Sequence, residues 1–385
     1  MRMASYLAEN LAGCSILVLT DLSIIGRFKF PRNVDYVHLP AMNRQPHSHQ
    51  YAGNLNIALN DALTIRRKIL KSAVKTFSPD FFIVERKPFG PQEEMRRTLS
   101  FVRKHLPKTK LIWGLLDVVG DPEMIRRDWT QQDFYRMLEH YCDEIWIYGT
   151  PEIFDHLTNY QIPATIAGKC YYMSYLRSWR LASARMHKDI VRFQQNKKPY
   201  VLITSGSGAE GFTLVDTYLR FLEHAGESLP FHSLIVTGPM MRTHEKLMLK
   251  KRAQKLPGVI FHRFSKHVLQ YVEHADLVIS NGGYNTFCEI LSYRKKSIFA
   301  PPFVPPYEHL LRAEIFHKLG MITRVIPRDL SAERLGDIVQ SSLYRRIELA
   351  PSSVRVRIPL DGLDNIVERI EILSGLKPRA WRQAV

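Results

Sequence analysis

The sequence predicts an α/β protein built of two Rossmann-like parallel-sheet domains facing across a cleft. Three observations predict it. Short apolar runs alternate with amphipathic segments along the chain, as strand–helix–strand crossovers do. The alternation breaks once, in a polar stretch ending at Gln194-Gln195-Asn196-Lys197-Lys198-Pro199, and then restarts. Finally, 385 residues exceed what one hydrophobic core usually organises.

Strands are expected in the first half at residues 15–20, 34–39, 81–85, 111–116, 144–148 and 165–167. Helical stretches at 54–77, 92–105, 131–141 and 151–159 separate most of them. In the second half strands are expected at 200–204, 233–237, 259–261, 277–280, 297–300 and 323–326. The domains are therefore placed at 1–170 and 199–345, joined by a linker at 171–198. A tail and helix at 346–385 are expected to pack back on the first domain.

Composition bounds the function. An apolar fraction of 45% with 24% charged residues belongs to a globular chain. The net charge of +17 suits nucleic acid, an anionic membrane surface or phosphorylated ligands. Its basic residues are scattered, as in Arg66-Arg67-Lys68 and Lys250-Lys251-Arg252, without a long arm or interleaved aromatics. No nucleic-acid partner is expected; the charge reads as solvated helix faces or peripheral contact with an anionic membrane. Cys14, Cys142, Cys170 and Cys288 lie far apart with no metal-ligand spacing, as free thiols in a reducing compartment do. With no apolar span and no signal-peptide core, a cytoplasmic location is expected, at most touching the inner membrane face.

Three segments carry chemistry. Ser205-Gly206-Ser207-Gly208-Ala209-Glu210-Gly211 follows a buried strand, where glycines let the backbone approach a phosphate or sugar. A βα turn of this composition also occurs with no ligand. Asn281-Gly282-Gly283-Tyr284-Asn285-Thr286 follows a second strand and opens a helix containing Glu289. Amides and positive dipole at that helix start suit a diphosphate. The Glu289 carboxylate can accept two hydrogen bonds from ribose hydroxyls, or simply complement the dipole. Thirdly, Pro301-Pro302-Phe303-Val304-Pro305-Pro306-Tyr307 holds a stiff loop before Glu308 and His309, which can bond sugar hydroxyls or cap a helix.

In order and spacing, residues 200–340 resemble the glycosyltransferase family 28 C-terminal domain of the GT-B superfamily. Gly283-Tyr284-Asn285-Thr286-Phe287-Cys288-Glu289 matches that family's Gly-x-x-Thr-x-x-Glu motif without a gap. The resemblance implies that Gly282, Gly283 and Thr286 hold diphosphate and that Glu289 holds ribose. It also places Glu308 and His309 at the donor sugar, although an imidazole at the second position departs from the family's usual amide. Phe264 falls where the family's backbone meets the base. Gly206, Ser207, Gly208, Gly211 and Asn285 complete the donor-binding set.

More loosely, the first half is similar to a group of predicted bacterial glycosyltransferases. The similarity rests on Pro79-Asp80, Glu85-Arg86-Lys87-Pro88-Phe89-Gly90 and Leu115-Leu116-Asp117-Val118. Pro91 and Leu116 stand where that group usually has arginine. Such proteins begin with a strand and a Gly-x-Gly-His loop. Here Met1 to Leu11 looks like the helix that follows it, so the first strand and its histidine are expected to be missing.

The resemblance implies inverting transfer of a hexosyl group from a nucleotide-diphosphate sugar, UDP-linked by expectation, to an acceptor hydroxyl of a lipid, glycan or small molecule. The sequence has no Asp-x-Asp motif, so neither metal nor cofactor is expected. Glu85 and Asp117, at strand ends, are the candidate bases and equally well structural carboxylates. A nucleotide-sugar binder without catalysis and a nucleotide-sugar 2-epimerase share these features.

Overall fold

The computed structural model describes residues 1–45, 48–52, 55–86, 89–131, 133–178, 186–226, 229–344 and 357–376. They divide into two units. Unit 1 comprises Met1–Asp117, Arg126–Tyr175 and Asp361–Val385; unit 2 comprises Val118–Ile125 and Leu176–Leu360.

Unit 1 contains β1 (Ile16–Thr20), β2 (Val34–His38), β3 (Met42–Gln45), β4 (Ser48–Ala52), β5 (Phe81–Glu85), β6 (Lys110–Leu116), β7 (Glu144–Tyr148) and β8 (Cys170–Tyr172). β5 to β8 make a four-stranded parallel sheet in chain order, while β1 and β2 pair in parallel as a separate two-stranded sheet. β3 and β4 form an antiparallel pair that the periodicity did not announce. The Arg66 guanidinium, nearly solvent-free, ties these pieces together. It grips Glu94 with two bonds of 2.6 Å and reaches Asp21 just after β1 at 3.3 Å. A fourth bond goes to the Pro40 carbonyl just after β2.

Two of the expected elements need correction. Residues 165–167 lie in the short helix Ala164–Ala167, and the strand comes later, at Cys170–Tyr172. Pro163 precedes that helix at φ −57°, an angle that starts a helical turn readily. The expected linker at 171–198 is also structured over much of its length. It contributes Tyr171 and Tyr172 to β8, and its helix Lys188–Gln195 has His187 as N-cap, accepting from the Asp189 amide. Residues 179–185 of it lie outside the described residues.

Of the expected tail at 346–385, residues 357–376 are described, and their helix Gly362–Leu373 belongs to unit 1. Arg369 pairs there with Glu144 at the start of β7 and lies 3.8 Å from the Tyr171 ring centre. Tyr6 bonds Asp364, and Asn365 donates to the Met173 carbonyl at 3.1 Å.

Unit 2 is a six-stranded parallel sheet of β9 (Tyr200–Thr204), β10 (His232–Val236), β11 (Val259–His262), β12 (Leu277–Ser280), β13 (Ser297–Phe299) and β14 (Thr323–Arg324). Their order is β11-β10-β9-β12-β13-β14. β9 and β12 are buried along their whole length, which is why they read as unbroken apolar runs. Val201, Ile203, Ile235, Leu277 and Ile279 pack beneath Val215, Leu219 and Leu222 of the helix Phe212–Ala225 and Leu335 and Val339 of the helix Ala332–Tyr344. Residues 118–125, though early in the chain, join this unit. The Asp121 amide donates to the Pro306 carbonyl at 2.8 Å.

Candidate functional site

The chain runs from β9 outward to β10 and β11, then returns to place β12 on the other side of β9. Loops leaving the carboxyl ends of β9 and β12 therefore diverge, and the crevice between them is where open α/β sheets bind ligands. Two of the three sequence segments leave these two strands.

After β9, Gly206 and Ser207 are exposed while Gly208 and Gly211 are buried, and Gly211 is the N-cap of the helix Phe212–Ala225. The loop is fastened to the end of β10: Ser205 Oγ donates to the Thr237 carbonyl at 2.6 Å. Thr237 Oγ1 donates in turn to the Arg263 carbonyl at 3.4 Å, beside half-buried Phe264. Thr237 was not singled out from the sequence, yet it couples the first loop to the loop that carries Phe264.

After β12, Gly282 turns the chain at φ +77°, its amide donating to Ser280 Oγ at 2.9 Å. A Cβ on Gly282 would lie 2.8 Å from the Phe299 ring, so only glycine fits there. Gly283 is then the N-cap of the helix Tyr284–Ser292 and, as glycine, brings no side chain over the first-turn amides. Asn285 is exposed, Thr286 is 7% exposed, and Glu289 is half-buried further along the same helix. Asn281 Nδ2 donates to the Glu210 carbonyl at 3.1 Å, joining the two loops. They also meet directly, because a Cβ on Gly206 would lie 3.2 Å from Thr286 Oγ1.

The third segment closes on the second. Glu308 and His309 open the helix Glu308–Lys318. A Cβ built on Gly283 would lie 3.4 Å from His309 Nε2 and 3.8 Å from its Cε1. Arg312, one turn on and 0% exposed, donates to the Gly282 carbonyl and to Glu308 Oε1, each at 3.0 Å. Its guanidinium also stands 5.6 Å from the Tyr284 ring centre. A cation so far from water requires a counter-charge, and Glu308, 12% exposed, supplies it. The i,i+4 spacing of Glu308 and Arg312 was the sequence signal that could have found it.

Gly206 thus meets Thr286, and Gly282 and Gly283 meet the helix start at Glu308 and His309, with Phe264 linked to the loop after β9 through Thr237. Glu85 and Asp117 belong to unit 1. Glu85 is exposed at the end of β5 and accepts from Tyr148 O–H at 3.4 Å. Burial, reinforced by the Glu85 carboxylate, pushes the Tyr148 phenol well above its ordinary range. Asp117 is 1% exposed. Of the Glu85–Gly90 phrase, Lys87 and Pro88 lie outside the described residues. Among the described residues no helix is long and apolar enough to cross a membrane.

No curated protein matches the chain by sequence. Residues 200–335 match the family described as the glycosyltransferase family 28 C-terminal domain. Among solved structures, the glycotransferase of kitacinnamycin is similar, with a TM-score of 0.59 at 14% identity over 98% of this chain and 95% of that one. The calicheamicin glycosyltransferase CalG4 gives 0.56 at 13% identity over 99% and 95%. MurG of Acinetobacter baumannii gives 0.51 at 12% identity over 98% and 91%. The chain thus carries the GT-B fold that these solved structures share, and its residues 200–335 are similar to the glycosyltransferase family 28 C-terminal domain.

Proposed function

We propose that the protein transfers a hexosyl group from a nucleotide-diphosphate sugar, a UDP-sugar first, to an acceptor hydroxyl, with inversion and without a metal. The observation that carries this reading is the meeting of Gly206 with Thr286 at the ends of β9 and β12, beside the amino end of the helix Tyr284–Ser292. Amides and dipole there hold the diphosphate and stabilise it as it departs. Glu289 accepts from ribose hydroxyls, the Phe264 backbone meets the base, and Glu308 and His309 line the sugar. An acceptor-side base removes the hydroxyl proton. Exposed Glu85 is better situated for that than buried Asp117. The acceptor is a lipid, glycan or small molecule, and the +17 charge supports contact of a cytoplasmic protein with an anionic membrane face.

A thermal-shift screen with UDP-, GDP- and TDP-sugars tests the reading. One series should raise the melting temperature of wild type, because a ligand bound only by the folded state stabilises it by mass action. Glu289→Ala should lose that rise. No shift with any of them sinks the proposal. Donor binding without turnover on any acceptor would identify a binder, and conversion of donor alone an epimerase.

A further inference from the structure

We infer that His309 contacts the diphosphate of the donor, with Nε2–H donating to the oxygen that leaves with the β-phosphate, rather than lining the sugar. The inference rests on the donor-binding reading above and moves one residue of it, His309, from the sugar to the diphosphate. Its basis is the space above Gly283. Gly283 is the N-cap of the helix Tyr284–Ser292, and the groups within 4 Å of a Cβ built there are His309 Nε2 and Cε1. On the donor-binding reading, a phosphate oxygen bonded to the first amides of that helix lies within reach of the imidazole.

The placement is built in rather than left to a flexible side chain. Arg312 binds the carbonyl of Gly282, the residue before Gly283, and the carboxylate of Glu308, the residue before His309. With its guanidinium solvent-free, the two backbones are held at one spacing, and His309 rides on the first turn of the helix Glu308–Lys318. Glu308 is held by the same guanidinium, so its negative charge is screened from an incoming diphosphate.

In the transfer, the acceptor oxygen forms its bond to the sugar C1 as the bond from C1 to the β-phosphate oxygen breaks. The electron pair stays on that oxygen, and the acceptor's proton passes to a carboxylate base. A donor at Nε2 meets the charge where it builds.

Calorimetry with the nucleoside monophosphate, the nucleoside diphosphate and the diphosphate-glucose of uridine, guanosine and thymidine tests the inference on the full chain. For the base that wild type binds, His309→Ala should weaken the diphosphate and the diphosphate sugar equally, by about tenfold, the worth of one charge-assisted hydrogen bond. The monophosphate should bind unchanged. His309→Gln, which keeps an N–H donor, should recover most of the loss. Weakening of the sugar-bearing ligand alone would make His309 a sugar contact and overturn the inference. Equal weakening of all three ligands would make it a structural support, and no weakening would remove it from the site. If wild type binds none of the nine ligands, this inference and the donor-binding reading fall together. If Glu289→Ala leaves the monophosphate unaffected while the His309 pattern holds, only the ribose assignment falls.

Discussion

Arg312 holds Glu308 by a 3.0 Å bond from Nη2 while Nη1 reaches the Gly282 carbonyl, and no part of Arg312 touches solvent. Removing the guanidinium takes this partner from a carboxylate that is 12% exposed and frees the turn that begins the proposed diphosphate site. Arg312→Met should therefore cost about 3 kcal/mol in urea unfolding, the typical loss when one member of a buried pair is removed. It should also abolish the thermal shift by nucleotide sugar. Arg312→Lys keeps the charge but cannot serve both acceptors in the same plane, and should retain only part of each. A variant as stable as wild type would show that the pair carries no structural weight.

Glycine substitutions separate backbone strain from collision. Gly208 has φ +88°, and a Cβ there would lie 2.2 Å from the Thr237 carbonyl oxygen. Gly226 has φ +68°, with nothing within 4 Å of such a Cβ. Gly226→Ala should cost about 2 kcal/mol, the strain of a φ +68°, ψ −155° backbone that is essentially confined to glycine. Gly208→Ala must also push two loops apart, and should cost several times as much and weaken nucleotide binding. Equal losses in thermal denaturation would refute the collision.

Histidine 156 makes unit 1 sensitive to acid. Burial lowers its pKa to about 4, against the opposing pull of the Leu116 and Phe154 carbonyls at 2.9 and 3.1 Å. The unfolded chain protonates near 6.5 while the folded ring stays neutral, so its contribution to stability is present above 6.5 and is lost as pH falls toward 4. Unfolding of unit 1 should lose roughly 2 kcal/mol between pH 7 and pH 5 from this group. Tryptophan fluorescence suits the measurement, because Trp113, Trp129 and Trp146 are all buried in that unit. His156→Gln should be less stable at pH 7 but with a flatter pH dependence; an unchanged slope would clear His156 of the role.

The helix Gly362–Leu373 is fastened through Arg369 to Glu144, a carboxylate 6% exposed that also accepts from Trp146 Nε1 at 2.8 Å. Arg369→Met should destabilise unit 1 by about 2 kcal/mol, the partial exposure of Arg369 moderating the loss of a buried pair. Glu144→Gln, which removes the charge but keeps an acceptor for Trp146, should cost less. The reverse order in fluorescence-detected urea unfolding would mean that the Tyr171 contact, not the ion pair, holds Arg369.

Every expected strand of unit 2 occurs, because an all-parallel sheet buried on both faces writes its strands as apolar runs bounded by turn residues. Gly282 was legible for a related reason: its φ of +77° and the Phe299 ring 2.8 Å from a Cβ there leave few other choices. Arg312 was not, because a cation in a helix ordinarily lies on a solvated face, and its burial follows from how Gly282 and Glu308 meet in space. The helix Pro122–Gln131 was missed although Asp121, Pro122 and Glu123 are a start signal, with Asp121 Oδ1 accepting from the Met124 amide at 3.0 Å. That residues 118–125 join unit 2 was beyond any local pattern, since it depends on Pro306 far along the chain.

Unit 1 takes its closing helix from the far side of the Leu176–Leu360 stretch. During synthesis at 5–20 residues per second, its earlier strands emerge about ten to forty seconds before that helix can reach them. Unit 2 is nearly all contiguous and can settle first, leaving β5 to β8 to wait. Over that interval Glu144 and Tyr171 lack their Arg369 partner, and a ribosome stalled late on the message would release a chain whose later domain is sound and whose earlier one is not.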